Sequence, residues 1–463
     1  MNEKTARSRV GVDFTEGNIY RHLIMFGLPM LLSNFLQQLY NAVDTMVIGR
    51  FEGTVGTVGV GNGGEIATVV TFVAMAFSSA GQIYIAQLTG AKDRKRTQET
   101  IGTILSFNML MGLTFGVLSI VLCRPLLQVL NTPREAIGEA MRYMIIVSIG
   151  LPAVFGYNSI CGILRGMGES RQPLKFIIVA TVTNIVLDLL LVAVIPLAAA
   201  GTAIATAMAQ IASFVAAFLF LYKNRERFGF DFRPASFRII WEHLQMLLKL
   251  GLPLTFKSCM IHLTQLYCNA QINAFGMVAS ATNSIGNRIY RLLHVGTTSI
   301  AASTGAMIGQ NLGARKIDRT KQIVYASMKC VAVLAVFESS VALLFPRQIY
   351  GLFIDDPAVI EYGVTYMRII VIACFLTIFQ TPFEGLVTGC GKTNLSFLSG
   401  FLDGVVFRLG IGIPLSCVIG ASAYWLGNNI AHLAPVLVCG VYFFSGKWKN
   451  HILLKHTEEK KKQ

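Results

Sequence analysis

Asn34, Gln37, Asn41 and Asp44 recur along one otherwise apolar stretch. On a helix they fall within about 80° of arc, with Leu32, Phe35, Leu39 and Val43 on the opposite side. A second set, Thr181, Asn184 and Asp188 in "ATVTNIVLDLLL", falls within about 60°. A third set, Thr202, Thr206 and Gln210 in "GTAIATAMAQ", is spaced by four. Two carboxylates, amides and hydroxyls facing one cavity make an oxygen-only ligand set. That chemistry suits a hard cation such as Na⁺, or a proton. Two carboxylates in a low-dielectric cavity do not readily both carry charge, which suits proton uptake and release.

The elements that must position these residues are membrane spans. Of the 463 residues, 54% are hydrophobic and 14% charged, against about 25% charged in ordinary soluble chains. Windows such as 107–122, 176–187 and 192–221 hold almost no charge, the pattern of bilayer-crossing helices. Twelve spans are expected at 23–48, 56–82, 101–123, 139–164, 174–195, 200–222, 244–273, 284–309, 323–345, 362–388, 396–416 and 421–444. An aspartate near the middle of such a helix costs about 2.5–3.5 kcal/mol, and each Leu or Ile recovers only about 0.3–0.6. Asp44 therefore needs water, a partner or a proton. Arg50 lies about 9 Å further along the helix.

The formal net charge is +15. Of 39 Lys and Arg, 28 fall in the N-terminal tail, alternate connections and C-terminal tail on one side; four fall on the other and seven within spans. The excess is a topology signal that places both termini in the cytoplasm, not a nucleic-acid-binding surface. The first 22 residues lack the apolar core of a signal peptide and read as a cytosolic tail. The nine cysteines form no CxxC pair and mostly fall in apolar segments, as small packing residues.

The chain repeats itself at an offset of 223. "GAKDRKRT" (90–97) meets "GARKIDRT" (313–320), Tyr143-Met144 meets Tyr366-Met367, and "GILRGMG" (162–168) meets "GLVTGCG" (385–391). "GLP" at 27–29 meets "GLP" at 251–253, one residue out of step. Six spans per unit return the chain to its starting side. Both halves then share one orientation, related by an axis along the membrane normal. The organisation is a tail (1–22), a first six-helix lobe (23–222), a linker (223–243), a second six-helix lobe (244–444) and a basic tail (445–463). "SFRIIWEHLQMLLK", at the end of the linker, is amphipathic and expected to lie on the membrane surface.

Two motifs lose their usual meaning in this setting. "GVGNGG" (59–64) satisfies GxGxxG but opens a membrane helix, where glycines allow close packing. "GLVTGCGKT" (385–393) has five residues between Gly385 and Gly391 where a P-loop needs four. Without a P-loop, an ion gradient rather than ATP is the expected energy source, and the sequence contains no HExxH, no GxSxG and no metal-spaced His/Cys cluster. His262, His294 and His432 lie in spans, as hydrogen-bonded packing residues or proton relays.

The second half shares the scaffold but not the polar interior. No carboxylate stands at the positions matching Asp44 and Asp188. Its spans instead carry Lys257, Arg288, Arg291, Lys329, Glu338, Arg368, Glu384, Asp403 and Arg408. Lys257, four residues after Pro253, is either snorkelling or ion-paired, or faces the substrate path.

Taken together, "FGLPMLLSNFLQQLYNAVDTMVIGRF", "GQNLGARKIDRTK", "GILRGMGESRQP" and "TNIVLDLLL" resemble the multidrug and toxic compound extrusion (MATE) family, in its prokaryotic DinF-like branch. The resemblance runs from about residue 17 to 449. It implies an all-α membrane protein of twelve helices in two six-helix lobes, a V-shaped cleft and alternating access. It also implies H⁺- or Na⁺-coupled export of organic, usually cationic, compounds. The family's acidic and polar cluster in the first lobe matches Asp44, Asn184 and Asp188 here, with Thr206 or Thr202 contributing from span 6. Lys257 stands where this branch often has a glutamine.

The expected protein is a transporter, not an enzyme: a monomeric antiporter of the bacterial cytoplasmic membrane, without cofactor. A proton or Na⁺ would sit at Asp44, Asn184, Asp188 and Thr206. The substrate path would run past Asn34, Gln37, Asn41, Lys257 and Arg288. Its partners are a small-molecule substrate and membrane lipid, with no nucleic acid. Two other readings stand beside it: a lipid-linked precursor flippase, for which Lys257, Arg288 and Arg291 would meet an anionic headgroup, and a channel or receptor.

Overall fold

The structure, a computed structural model, describes residues 11–51, 53–129, 132–195, 197–450 and 453; the side chains of 41–51, 53–58, 193 and 198 lie outside the description. Among the described residues the fold is all helix. The first six long helices are α1 (Ile19–Phe51), α2 (Gly53–Gly90), α3 (Arg94–Val121), α4 (Arg134–Gly166), α5 (Arg171–Asp188) and α6 (Ala198–Lys223). The next are α7 (Trp241–Ala274), α8 (Met277–Leu293 and Val295–Gly313), α9 (Ile317–Leu344) and α10 (Pro357–Gly389). The last are α11 (Thr393–Phe401 and onward to Ile419) and α12 (Ser422–Ile430 and Leu433–Phe444). Eleven are long and apolar enough to cross a membrane; the range 277–313 is the exception, and it is interrupted at His294.

The repeat holds at the level of helix ends. Each of α1 to α6 matches its counterpart in α7 to α12 at an offset of 223, within one or two residues, once the π-helical continuation of α5 to Val194 is counted with it. Backbone conformation repeats too: Lys92 and Arg315 both have φ 57°, and Gly168 and Gly391 have φ 84° and 74°. The glycines suit a left-handed turn after α4 and α10; the two basic residues adopt it against their usual preference. Asp93 then caps α3, its Oδ1 accepting from the Arg96 N–H at 3.1 Å.

The chain divides into two compact units, one taking in residues 32–251 with 11–13, the other 14–31 with 252 onward. Each unit is therefore six helices plus the segment leading into the other half's first helix. In the second unit Phe14 is fully buried with Leu23, Phe26 and Met307, a burial worth about 2–3 kcal/mol. Gln310 Oε1 accepts from the Phe14 N–H at 3.1 Å, and Asn311 Nδ2 donates to the Phe14 carbonyl at 3.1 Å.

In the first unit the 223–243 segment is packed rather than loose. Phe228 and Phe230 are buried among Ile101, Leu105 and Leu164, with Phe237 against them. Ser106 Oγ donates to the Phe237 carbonyl at 2.6 Å, and the Ile240 N–H donates to Thr103 Oγ1 at 3.2 Å. These bonds correct the expectation of a surface helix over "SFRIIWEHLQMLLK". The stretch forms a 3₁₀ turn (Pro234–Phe237), and α7 then runs unbroken from Trp241.

The glycines of "GVGNGG" act as packing residues, unevenly. A Cβ at Gly59 would come 3.0 Å from Glu139 Cβ, and one at Gly63 3.1 Å from the Ala140 carbonyl, while Gly61 and Gly64 face open space. α2 thus approaches α4 at one four-residue interval.

Candidate functional site

In the first unit α5 and α6 run antiparallel, joined across residues 195–197. A Cβ at Gly201 would lie 2.9 Å from the Leu191 carbonyl, so the backbones nearly touch there. This register sets Asp188 level with the stretch between Thr202 and Thr206. Asn184, Asp188 and Thr202 are each fully buried, and Thr181 is nearly so. Thr206 and Gln210 are half-buried. The ladder of Ala203 and Ala207 on α6 turns the other way. Ala203 packs with Val60, Tyr143 and Val147, and Ala207 sits 3.3 Å from a Cβ built at Gly150.

Sequence periodicity missed a feature at Asp188. There α5 stops being an α-helix and continues as a π-helix over Leu189–Val194. A π turn leaves the ordinary i→i−4 ladder, and such turns concentrate at functional sites. Nothing in "LDLLLVAV" marks it, because a run of leucines and valines fits either helix.

For α1 the expectations divide. Asn34 is half-buried and Gln37 exposed. The α1 residue seated against α5 and α6 is Leu36, which packs on Ile177, Ala180 and Ala209. Asn41 and Asp44 lie on helical backbone, but their side chains fall outside the description.

The second unit holds a chain of polar side chains. Lys257 on α7 forms an ion pair with Glu384 on α10. Gln380 Nε2 donates to Glu384 Oε2 at 3.3 Å. Gln380 Oε1 lies 2.7 Å from His432 Nδ1, and His432 Nε2 lies 2.9 Å from the Tyr290 hydroxyl. If Nδ1 carries the proton, His432 donates to Gln380 and accepts from Tyr290, and every link is satisfied. Five helices' worth of sequence separates these residues. Only Lys257, Glu384 and His432 stood out in the sequence, and Gln380 and Tyr290 had no local signal.

The remaining basic residues of the second unit divide by exposure. Arg288, Arg291, Lys329 and Arg368 are exposed. Inside the unit, Arg408 Nη2 donates to Asp403 Oδ1 at 2.8 Å, with both residues buried. The two interior basic side chains, Lys257 and Arg408, each sit against a carboxylate. Of the three residues behind the flippase reading, Lys257 is paired with Glu384, as a shielded cation requires, while Arg288 and Arg291 are exposed.

A family model described as MatE matches residues 29–190 and 253–418. The probable multidrug resistance protein YpnP of Bacillus subtilis is 27% identical over 443 residues, covering 94% of this chain and 97% of that one. The probable multidrug resistance protein NorM of Thermotoga maritima is 23% identical over 456 residues, with 96% of each chain covered. A crystal structure of a MATE protein in complex with MaL6 matches with a TM-score of 0.89 at 20% identity, over 95% of this chain and 99% of that one. An outward-facing multidrug resistance MATE family transporter of the MOP superfamily matches with a TM-score of 0.87, also at 20% identity, over 95% of this chain and 99% of that one.

Proposed function

Because the chain belongs to the MatE family, we propose that it is a cation-coupled antiporter exporting small organic compounds across the cytoplasmic membrane. Both termini lie in the cytoplasm in this reading, which the distribution of Lys and Arg supports. The protein works as a monomer by alternating access.

The observation that carries this reading is Asp188. It is a fully buried acid in an apolar helix, one turn after the fully buried Asn184, at the point where α5 becomes π-helical. An intramembrane acid in that position costs free energy unless polar partners, a proton or a cation meet it. H⁺ or Na⁺ bound by Asp44, Asn184, Asp188 and Thr206 or Thr202 would cancel the charge and let the surrounding helices close. Loss of the ion to the opposite side would reopen them, so ion entry and substrate exit alternate.

Relatives named for multidrug resistance and multidrug export support an amphiphilic organic substrate. Asn34, Gln37, Asn41 and Arg288 are the polar groups proposed to meet it. Lys257 and Glu384 meet it as a pair without net charge, which favours neither cations nor anions at that point.

The test is proteoliposome efflux of a cationic dye under imposed H⁺ or Na⁺ gradients. Asp188→Asn and Asp44→Asn should each abolish gradient-driven efflux while the purified proteins stay monodisperse. Undiminished coupling in both variants would remove the site assignment.

A further inference from the structure

Away from the proposed ion site, three side chains of different helices meet inside the second unit. His294 sits at the break in α8, Glu338 on α9 and Cys374 on α10, and all three are buried. One ligand-capable atom from each lies within 4.8 Å of the others. Among the described residues no other His, Cys, Asp and Glu group converges this way.

Hydrogen bonding accounts for the cluster only in part, through contacts of Cys374 with Glu338 and Ser339. Glu338 Oε1 accepts from Thr297 Oγ1 at 3.3 Å. Its other oxygen, Oε2, has no hydrogen-bond partner, and neither has Nδ1 or Nε2 of His294. Oε2 and Nδ1 face each other at 3.6 Å, too far for a good hydrogen bond. That distance matches the edge of a small tetrahedral coordination shell, where ligand atoms at zinc distances sit about 3.5 Å apart. The Tyr290 ring stacks on His294 at 4.0 Å and closes one side of the site.

We infer that His294, Glu338 and Cys374 bind a borderline-soft divalent transition-metal ion, with Zn²⁺ the best fit to a nitrogen, oxygen and sulfur donor set. Charge decides between this ion and others. A thiolate, a carboxylate and a neutral imidazole carry two negative charges, which one divalent cation cancels in a region where net charge is costly. An alkali cation would leave the site charged and gains little from sulfur. Binding displaces the Cys374 thiol proton, and the carboxyl proton where Glu338 holds one, into solvent. The three ligands leave a fourth position, which Thr297 or water can fill.

Metal-stripped full-length protein in detergent, titrated with Zn²⁺ and with Co²⁺ as a spectroscopic stand-in, tests this. One equivalent per chain should bind, with proton release and a thiolate-to-Co²⁺ charge-transfer band. Glu338→Gln, which keeps the shape and the Thr297 contact, should weaken binding about tenfold or more. Cys374→Ser should erase the charge-transfer band, whereas Cys417→Ser, at an exposed cysteine, should leave it intact. Monodispersity and a thermal melt without metal separate lost binding from lost folding. Substoichiometric binding by the stripped wild-type protein would overturn the inference: the cluster then holds protons only. A charge-transfer band that survives Cys374→Ser would also overturn it.

Discussion

Lys257 and Glu384 are joined as an ion pair between α7 and α10, and Glu384 is itself the end of the chain through Gln380 and His432 to Tyr290. Both partners are largely shielded, with side-chain exposures of 17% and 22%. Removing one charge strands the other in a low-dielectric interior. Lys257→Met and Glu384→Gln should each destabilise the protein by about 3 kcal/mol. The double variant should recover most of that loss, because no charge is then stranded. Thermal unfolding in detergent reads both effects. Single variants as stable as the parent would show that the pair is solvated and contributes little.

Gly400 on α11 makes room for that lysine. A Cβ there would lie 2.5 Å from Lys257 Cγ and 3.2 Å from Lys257 Cβ. Gly400→Ala should push the stem aside and cost about 1–3 kcal/mol. In a Lys257→Ala background the same change should cost less, since the closest atom is gone. A double-mutant cycle on melting measures the coupling; additive effects would mean that α11 shifts rather than the lysine.

How much of this was legible in the sequence follows from the kind of signal involved. Span lengths, the offset of 223 and the glycine turns at 168 and 391 are periodic or local, so they survive in a one-dimensional reading. The burial of Asn184, Asp188 and Thr202 was legible because polar residues at helical spacing on an apolar helix have few other places to go. The partner of Lys257 was not, since Glu384 lies 127 positions away and no pattern links them. The π turn after Asp188 was invisible because its leucines and valines are compatible with both helix types. On α1 the apolar contact with α5 and α6 is made by Leu36, which no spacing rule singles out from its apolar neighbours.

Arg319 holds the segment that leads into α1. Its Nε donates to the Phe14 carbonyl at 3.0 Å, and Nη2 donates to the carbonyls of Glu16 at 2.8 Å and Gly17 at 2.7 Å. A planar guanidinium can meet three carbonyls from one side, whereas an ammonium on a flexible stem cannot do so at the same positions. Arg319→Gln should cost about 2–4 kcal/mol, given about 1.5–3 kcal/mol per bond to a charged donor and partial replacement by water. Arg319→Lys should recover only part. The readout is protease cleavage near residues 14–17, which should accelerate in both variants, and more in Arg319→Gln. Equal resistance in all three proteins would show that burial of Phe14 and the Gln310, Asn311 and Lys316 bonds secure the segment without Arg319.

Arg408 and Asp403 are five residues apart, a spacing that puts side chains about 140° apart on an α-helix. They nevertheless meet at 2.8 Å because α11 is π-helical over Leu402–Leu409, and i→i+5 geometry returns them to one face. The ion pair therefore depends on the π turn, and the reverse dependence is what the double variant tests. Asp403→Asn leaves the Arg408 charge buried without compensation and should cost about 3–5 kcal/mol. Asp403→Leu with Arg408→Met removes both charges and should be milder than either single change. Without the pair, the apolar stretch gains nothing from the wider turn, so the double variant should also relax toward α geometry. Amide hydrogen exchange across residues 402–409 reads that change as slower exchange, since an α ladder is better bonded. Exchange that stays at the parent rate in the double variant would show that packing against neighbouring helices, not the ion pair, imposes the π turn.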